Sequence, residues 1–100
     1  MKKEALKNCL YSGHRGRSKA ISGDSLRREL HMTEKEMRKC VNRLRREGVP
    51  ICSDQTGYFY AQSADEVLTT IQFLLKMRQG LESAIMGMNS TLRDFVLERG

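Results

Sequence analysis

The apolar positions of this chain change their spacing along its length, and each spacing predicts a different element. Ala5, Leu6, Cys9 and Leu10 recur at intervals of three and four, which stacks side chains on one face of a helix. A first helix is expected over Lys2–Tyr11, stopping at Ser12-Gly13. From His14 to Ile21 no period holds, and the stretch reads as a loop. Ser22 or Asp24 can cap a second, short helix that carries Leu26 and Leu30. A tight turn, His31-Met32-Thr33, comes next. Thr33 and Glu36 have the spacing of a capping box, the hydroxyl meeting the Glu36 amide and the carboxylate reaching back to the Thr33 amide. The third helix then runs from Glu34 to Glu47. Gly48 suits the left-handed position that closes helices, and Pro50 prevents continuation.

Two short strands follow, Val49-Pro50-Ile51-Cys52-Ser53 and Gly57-Tyr58-Phe59-Tyr60-Ala61, joined by the turn Asp54-Gln55-Thr56-Gly57. Ser63-Ala64-Asp65-Glu66 is a second capping box, and the helical period it opens lasts nearly to Gly100. Within it Val67, Ile71, Leu74, Arg78, Leu81, Ile85, Met88, Leu92 and Phe95 are separated by alternating fours and threes, a coiled-coil seam with one polar exception at Arg78. Arg78 would set the register or break the seam. Leu68 and Leu75 lie beside it, placed to dock the helix onto the preceding domain. A continuous helix from Ala64 to Arg99 would be about 54 Å long, more than sixty residues could cover. Gly80 and Gly87 each cost about 1 kcal/mol in a helix interior, so a bend or hairpin is expected at Gly80. The expected class is mainly α with a small β-hairpin (α+β). Residues 1–62 form one compact domain, and residues 63–100 a C-terminal helix, coiled coil or hairpin, for dimerisation.

Charge sharpens this division. The net charge is +6, yet residues 1–62 hold 14 Lys/Arg against 7 Asp/Glu, and residues 63–100 hold 4 against 5. A basic front and a near-neutral back imply that the front meets a polyanion. A generally basic surface kept for solubility would not be segregated in this way. No apolar run approaches the roughly 18 residues of a spanning helix, and the N-terminal lysines precede no apolar signal segment. Cys9, Cys40 and Cys52 are odd in number and lack a C-x-x-C pair, so reduced thiols in a cytoplasmic setting are expected. Neither they nor His14 and His31 show the short spacing of a zinc site, and the cysteines read as small apolar residues.

On the third helix, Met37, Val41 and Leu44 share one side with Cys40 at its edge. Lys35, Lys39, Asn42, Arg43 and Arg46 take the opposite side, with Arg38 on the flank. Arg and Lys can donate to guanine O6 and N7, and Asn can pair with adenine N6 and N7. Solvated helices also carry outward cations; what favours groove reading is the position directly after a helix-turn. Thr33 and Lys35, at the helix N-terminus, could hold a phosphate. Arg15, Arg17 and Lys19 in the first loop are candidates for backbone contacts, with Arg27 and Arg28 less firmly so, since each could pair with Glu29 or Asp24. The hairpin tip has Asp54 and no cation, so the hairpin is expected to contribute little. Tyr58 and Tyr60 read as packing residues of the hairpin rather than as a base-stacking pair.

Helix, helix, turn, helix and hairpin is the order of a winged helix-turn-helix. The run from Ser22 to Thr33, then Val41-Asn42-Arg43-Leu44-Arg45-Arg46-Glu47-Gly48-Val49-Pro50-Ile51 and Gly57-Tyr58, resembles the N-terminal domain of the biotin repressor/ligase family. The likeness covers about residues 3–62. It implies that fold and DNA binding, with the third helix as recognition helix, but not ligase activity, because no catalytic domain follows. The tail resembles instead small bacterial and phage regulators that end in a helix after the wing.

The expected function is sequence-specific binding of double-stranded DNA by a homodimeric transcriptional regulator. Its dimer would form through Ile71, Leu74, Arg78, Leu81, Ile85, Met88, Leu92 and Phe95. A replication-origin or replisome-organising protein, or a winged helix serving only protein interaction, are the alternatives. No phosphate loop, paired carboxylates, nucleophile–base pair or metal-ligand spacing is visible. An enzyme, a cofactor, a metal and a small-molecule ligand are therefore not expected.

Overall fold

Leu6 and Leu10, one helical turn apart, are fully buried and define the inner face of α1 (Lys2–Gly13). The computed structural model describes residues 2–99. By its internal contacts the chain divides into two units, Met1–Thr70 and Ile71–Gly100. In the first, α1 is followed by a single 3-10 turn at Arg17–Lys19, then α2 (Gly23–Glu29) and α3 (Glu34–Arg46). Leu26 from α2, Met32 from the turn, and Met37, Val41 and Leu44 from α3 join Leu6 and Leu10 in one core, with Ile51 from the hairpin. Full burial of such side chains stabilises by about 1.5–3 kcal/mol each.

The local signals act as expected. Ser22, not Asp24, caps α2, its hydroxyl accepting from the Ser25 amide at 3.1 Å. Thr33 and Glu36 form both halves of their capping box, at 3.0 and 3.1 Å. Both helices then end in the same way. At the end of α2 the Met32 and His31 amides donate back to the Arg27 and Arg28 carbonyls, with His31 at φ +53°. At the end of α3 the Val49 and Gly48 amides donate to the Leu44 and Arg45 carbonyls, with Gly48 at φ +87°. These are two Schellman motifs, one closed by glycine and the other by histidine.

Strands β1 (Ile51–Asp54) and β2 (Gly57–Tyr60) pair antiparallel, Ile51 opposite Tyr60 and Asp54 opposite Gly57. The segment after α1 is not the free loop expected over His14–Ile21. Its backbone joins the outer edge of β2: Gly16 N donates to Tyr60 O, and Tyr60 N to His14 O, both at 2.8 Å. Ile21 and Tyr58 exchange both amide bonds, at 2.8 and 2.9 Å. Gly57, at φ +141°, makes this approach possible, since a Cβ there would lie 2.0 Å from the Ile21 carbonyl oxygen. The edge that a two-stranded hairpin leaves open is thus partly closed.

Because side chains alternate across strands, the hairpin has two apolar faces. Ile51, Tyr58 and Tyr60 pack with the helical core. Cys52 and Phe59, on the other face, are also fully buried. The opening turns of α4 (Ala64–Arg99) lie on that side: the Cys52 thiol is 3.6 Å from the Glu66 carbonyl, and Thr70 is buried. Leu68 does not dock the helix as expected, being exposed; Glu66, half-buried Val67 and Thr70 occupy the turns nearest the hairpin. The second capping box is only half formed. Ser63 Oγ accepts from the Glu66 amide at 3.3 Å, but the Glu66 carboxylate instead accepts from the Gln62 and Arg17 amides, both at 2.8 Å. Those backbone donors hold it below the usual carboxylate range.

The second unit is the rest of α4. The helix runs through Gly80 and Gly87 without the expected break. Neither glycine has an atom within 4 Å of where a Cβ would stand, so no close neighbour forces a turn there. Leu75, the other expected docking residue, is exposed.

Candidate nucleic-acid interface

The apolar face of α3 is consumed by the core, which fixes where its other side chains go. With Met37, Val41 and Leu44 buried, all six expected reading residues are exposed: Lys35, Arg38, Lys39, Asn42, Arg43 and Arg46. Among the described residues, Lys35, Lys39, Arg43 and Arg46 take part in no salt bridge. Arg38 pairs with Glu34 at 2.8 Å, an exposed contact that competes weakly with any stronger anion. Arg45 follows a different course. It turns to the hairpin, donating to the Ile51 carbonyl at 2.8 Å and to Ser53 Oγ at 3.1 Å, and so locks the wing to α3.

The fold adds two cations from α1 to this face. Lys2 and Lys3 of α1 line one shallow groove with Lys39, Cys40, Asn42, Arg43 and Arg46. A signal for Lys3 was present in the spacing, since it falls three residues before Leu6 on the packing side of α1 and must emerge beside a neighbouring helix. Each lysine is held by an acid, Lys2 by Glu36 of α3 and Lys3 by Glu47, the C-cap of that helix, at 2.6 Å. The Lys2 ammonium and the Thr33 amide hold the Glu36 carboxyl down to about 2. Lys3 likewise lowers Glu47.

The N-terminus of α3 is less well suited to an anion than its dipole alone implies. Thr33 and Lys35 are exposed there, but Glu34 and Glu36 occupy the same first turn, and Thr33 Oγ1 already accepts from Glu36 N. The three first-segment cations are brought to different places. Lys19 is exposed and Arg15 lies 4.7 Å over the Tyr11 ring, which stacks edge-on against Tyr60 at 5.0 Å. Arg17 sits at the hairpin tip, its Nε 3.0 Å from Asp54 Oδ2. The wing has no cation of its own sequence, and the fold lends it one. Asp54 also accepts from the Thr56 hydroxyl and amide, at 2.6 and 2.8 Å, which lowers its carboxyl and shapes the turn. Arg27 pairs loosely with Asp24 at 3.7 Å, and Arg28 is exposed.

The seam residues of the second unit, Ile71, Leu74, Arg78, Leu81, Ile85, Met88, Leu92 and Phe95, are all exposed. Leu81, Ile85, Leu92 and Phe95 show 59–65% of their surface. Arg78 is paired along its own helix with Glu82 at 3.4 Å. Of the described residues that could ligate a metal, Cys9, His14 and Glu29 come together, one donor atom of each within 4.8 Å of the others. Their separation along the chain concealed this. No helix among the described residues is long and apolar enough to cross a membrane.

Comparison with protein-family models, with curated proteins and with solved structures finds no match to this chain. The resemblance to the biotin repressor/ligase N-terminal domain expected from the sequence has no matching family model behind it.

Proposed function

We propose that this chain is a sequence-reading, duplex-DNA-binding protein that acts as a homodimer, in the manner of a small transcriptional regulator rather than an enzyme. The observation that carries the reading is the outward face of α3. Lys35, Arg38, Lys39, Asn42, Arg43 and Arg46 are exposed together on a helix that follows α2 across a tight turn. An α-helix fits the major groove, where Arg, Lys and Asn match the donor and acceptor pattern of guanine and adenine. Lys2, Lys3, Arg15, Arg17, Lys19 and Thr33 would position the protein on phosphates without reading sequence.

The dimer is supported by the apolar seam from Ile71 to Phe95. Soluble monomers rarely leave such a patch uncovered, and a second copy offers the complementary stripe. Pairing Arg78 with Glu82 within each helix makes a cation in that seam tolerable. Two copies of α3 on one dimer would gain avidity from paired half-sites.

Titrating a labelled random-sequence duplex at about 50 and 200 mM salt tests the reading. Five such cations on phosphates imply a loss of affinity of about 500-fold across that range. Equal affinity at the two salts, or no binding at the lower, would overturn it and leave a protein-interaction module.

A further inference from the structure

We infer that Cys9, His14 and Glu29 form a binding site for a zinc-class divalent ion, separate from the basic face of α3. The three donors come from three places: the inner flank of α1, the residue just beyond its end, and the last residue of α2. In a tetrahedral shell with bonds of about 2.3 Å to sulfur and 2.1 Å to oxygen, those two ligand atoms stand about 3.6 Å apart. Cys9 Sγ and Glu29 Oε2 are 3.7 Å apart, so this edge of the shell is already in place.

The histidine ring is held by the backbone. His14 Nδ1 lies 2.8 Å from the Lys19 carbonyl oxygen. A carbonyl only accepts, so Nδ1 carries a proton, and in the neutral imidazole Nε2 is the nitrogen left to ligate. Fixing a ligating imidazole through its other nitrogen to a backbone carbonyl is a recurrent second-sphere arrangement at metal sites. His14 is itself pinned, since its own carbonyl accepts from the Tyr60 amide at 2.8 Å.

Charge balance favours a divalent cation. One thiolate and one carboxylate neutralise it, the imidazole adds a neutral donor, and water can take the fourth position. A mixed sulfur, nitrogen and oxygen set suits borderline zinc better than calcium or magnesium, which take oxygen ligands. Without the ion, the Cys9 thiol donates to the Glu29 carboxylate at 3.7 Å. On binding, the thiol proton leaves to solvent and sulfur bonds to the metal. The ion then ties α1 to the end of α2.

The probe is Co2+ added to untagged, reduced full-length protein, read by its thiolate-to-cobalt charge-transfer absorption. The expected result is a band that saturates at one equivalent and is displaced by Zn2+. It should be lost in Cys9→Ser and kept in Cys40→Ser. Glu29→Gln and His14→Gln should weaken binding about tenfold or more, since even second-sphere changes cost that much. Zn2+ should also raise the Tm of the wild type. No band, a band that survives Cys9→Ser, or an unmoved Tm would overturn the site. Should Cys9→Ser fail to fold, the exposed and isosteric Glu29→Gln decides, and unchanged affinity there overturns it.

Discussion

Two helices of the same unit end in the same motif with different residues at the left-handed position, so opposite substitutions should have opposite effects. The perturbations are His31→Gly after α2 and Gly48→Ala after α3. A side chain in the left-handed region costs about 1–2 kcal/mol, because Cβ crowds the backbone carbonyl. Glycine escapes that cost but returns about 0.4–1 kcal/mol through the greater freedom of the unfolded chain. The net change is about 0.5–1 kcal/mol. Gly48→Ala should destabilise by this amount, and purely through conformation, because no atom lies within 4 Å of the new methyl group. His31 is exposed, and His31→Gly should stabilise, toward the lower end, since histidine tolerates this region better than most residues. Urea unfolding at matched protein concentration, followed by circular dichroism, measures both, with midpoints shifted in opposite directions. Two shifts of the same sign, or none, would refute the conformational argument for these termini.

Gly57→Ala should cost about 3 kcal/mol or more, because its methyl would collide with the Ile21 carbonyl and break the amide pairs with Tyr58; a loss under 1 kcal/mol in the same urea assay contradicts the pairing of Ile21 with Tyr58. Glu36 has its carboxyl lowered to about 2, so its contribution is present above the unfolded carboxylate range, near 4.3, and is lost as pH falls toward 2. The urea midpoint of Glu36→Gln should therefore fall less steeply than that of wild type across that window, and parallel curves would count against the Lys2 and Thr33 contacts. Asn42→Ala and Arg43→Ala should relax the base preference recovered from a selected duplex pool, whereas Arg17→Ala should weaken all sequences alike. Relaxed preference from Arg17→Ala alone would exchange the roles of α3 and the wing. Ile85→Lys with Leu92→Lys should give folded monomers by light scattering with weaker operator binding, and a wild-type mass of one chain would remove the dimer.

What could be read before the structure was what depends on near neighbours. Thr33 with Glu36, Gly48, and the Asp54–Gly57 turn each act within a few residues, and their chemistry is visible in a short window. The exposed face of α3 was equally legible, because burying Met37, Val41 and Leu44 leaves its other residues no choice. What escaped depends on segments meeting across the fold. Nothing in His14–Ile21 announces that its backbone will pair with Tyr58 and Tyr60, since backbone pairing carries no side-chain signature. Glu66 had the spacing of a capping box, yet its carboxylate accepts from the distant Arg17 amide and from Gln62, the neighbour of Ser63, rather than from Ser63. Arg17 at Asp54, Lys3 at Glu47, and the meeting of Cys9, His14 and Glu29 are likewise products of tertiary packing.

The double-sided hairpin sets where the chain can be cut. A fragment ending at residue 62, the boundary that the motifs mark, would strip Glu66, Val67 and Thr70 from the structure. Cys52 and Phe59 would then face water across a sheet only two strands wide, and the Arg17 and Gln62 amides would lose their acceptor. A fragment that keeps the second face of the hairpin covered therefore extends to about Thr70, and includes two turns of what looks in sequence like the neighbouring module.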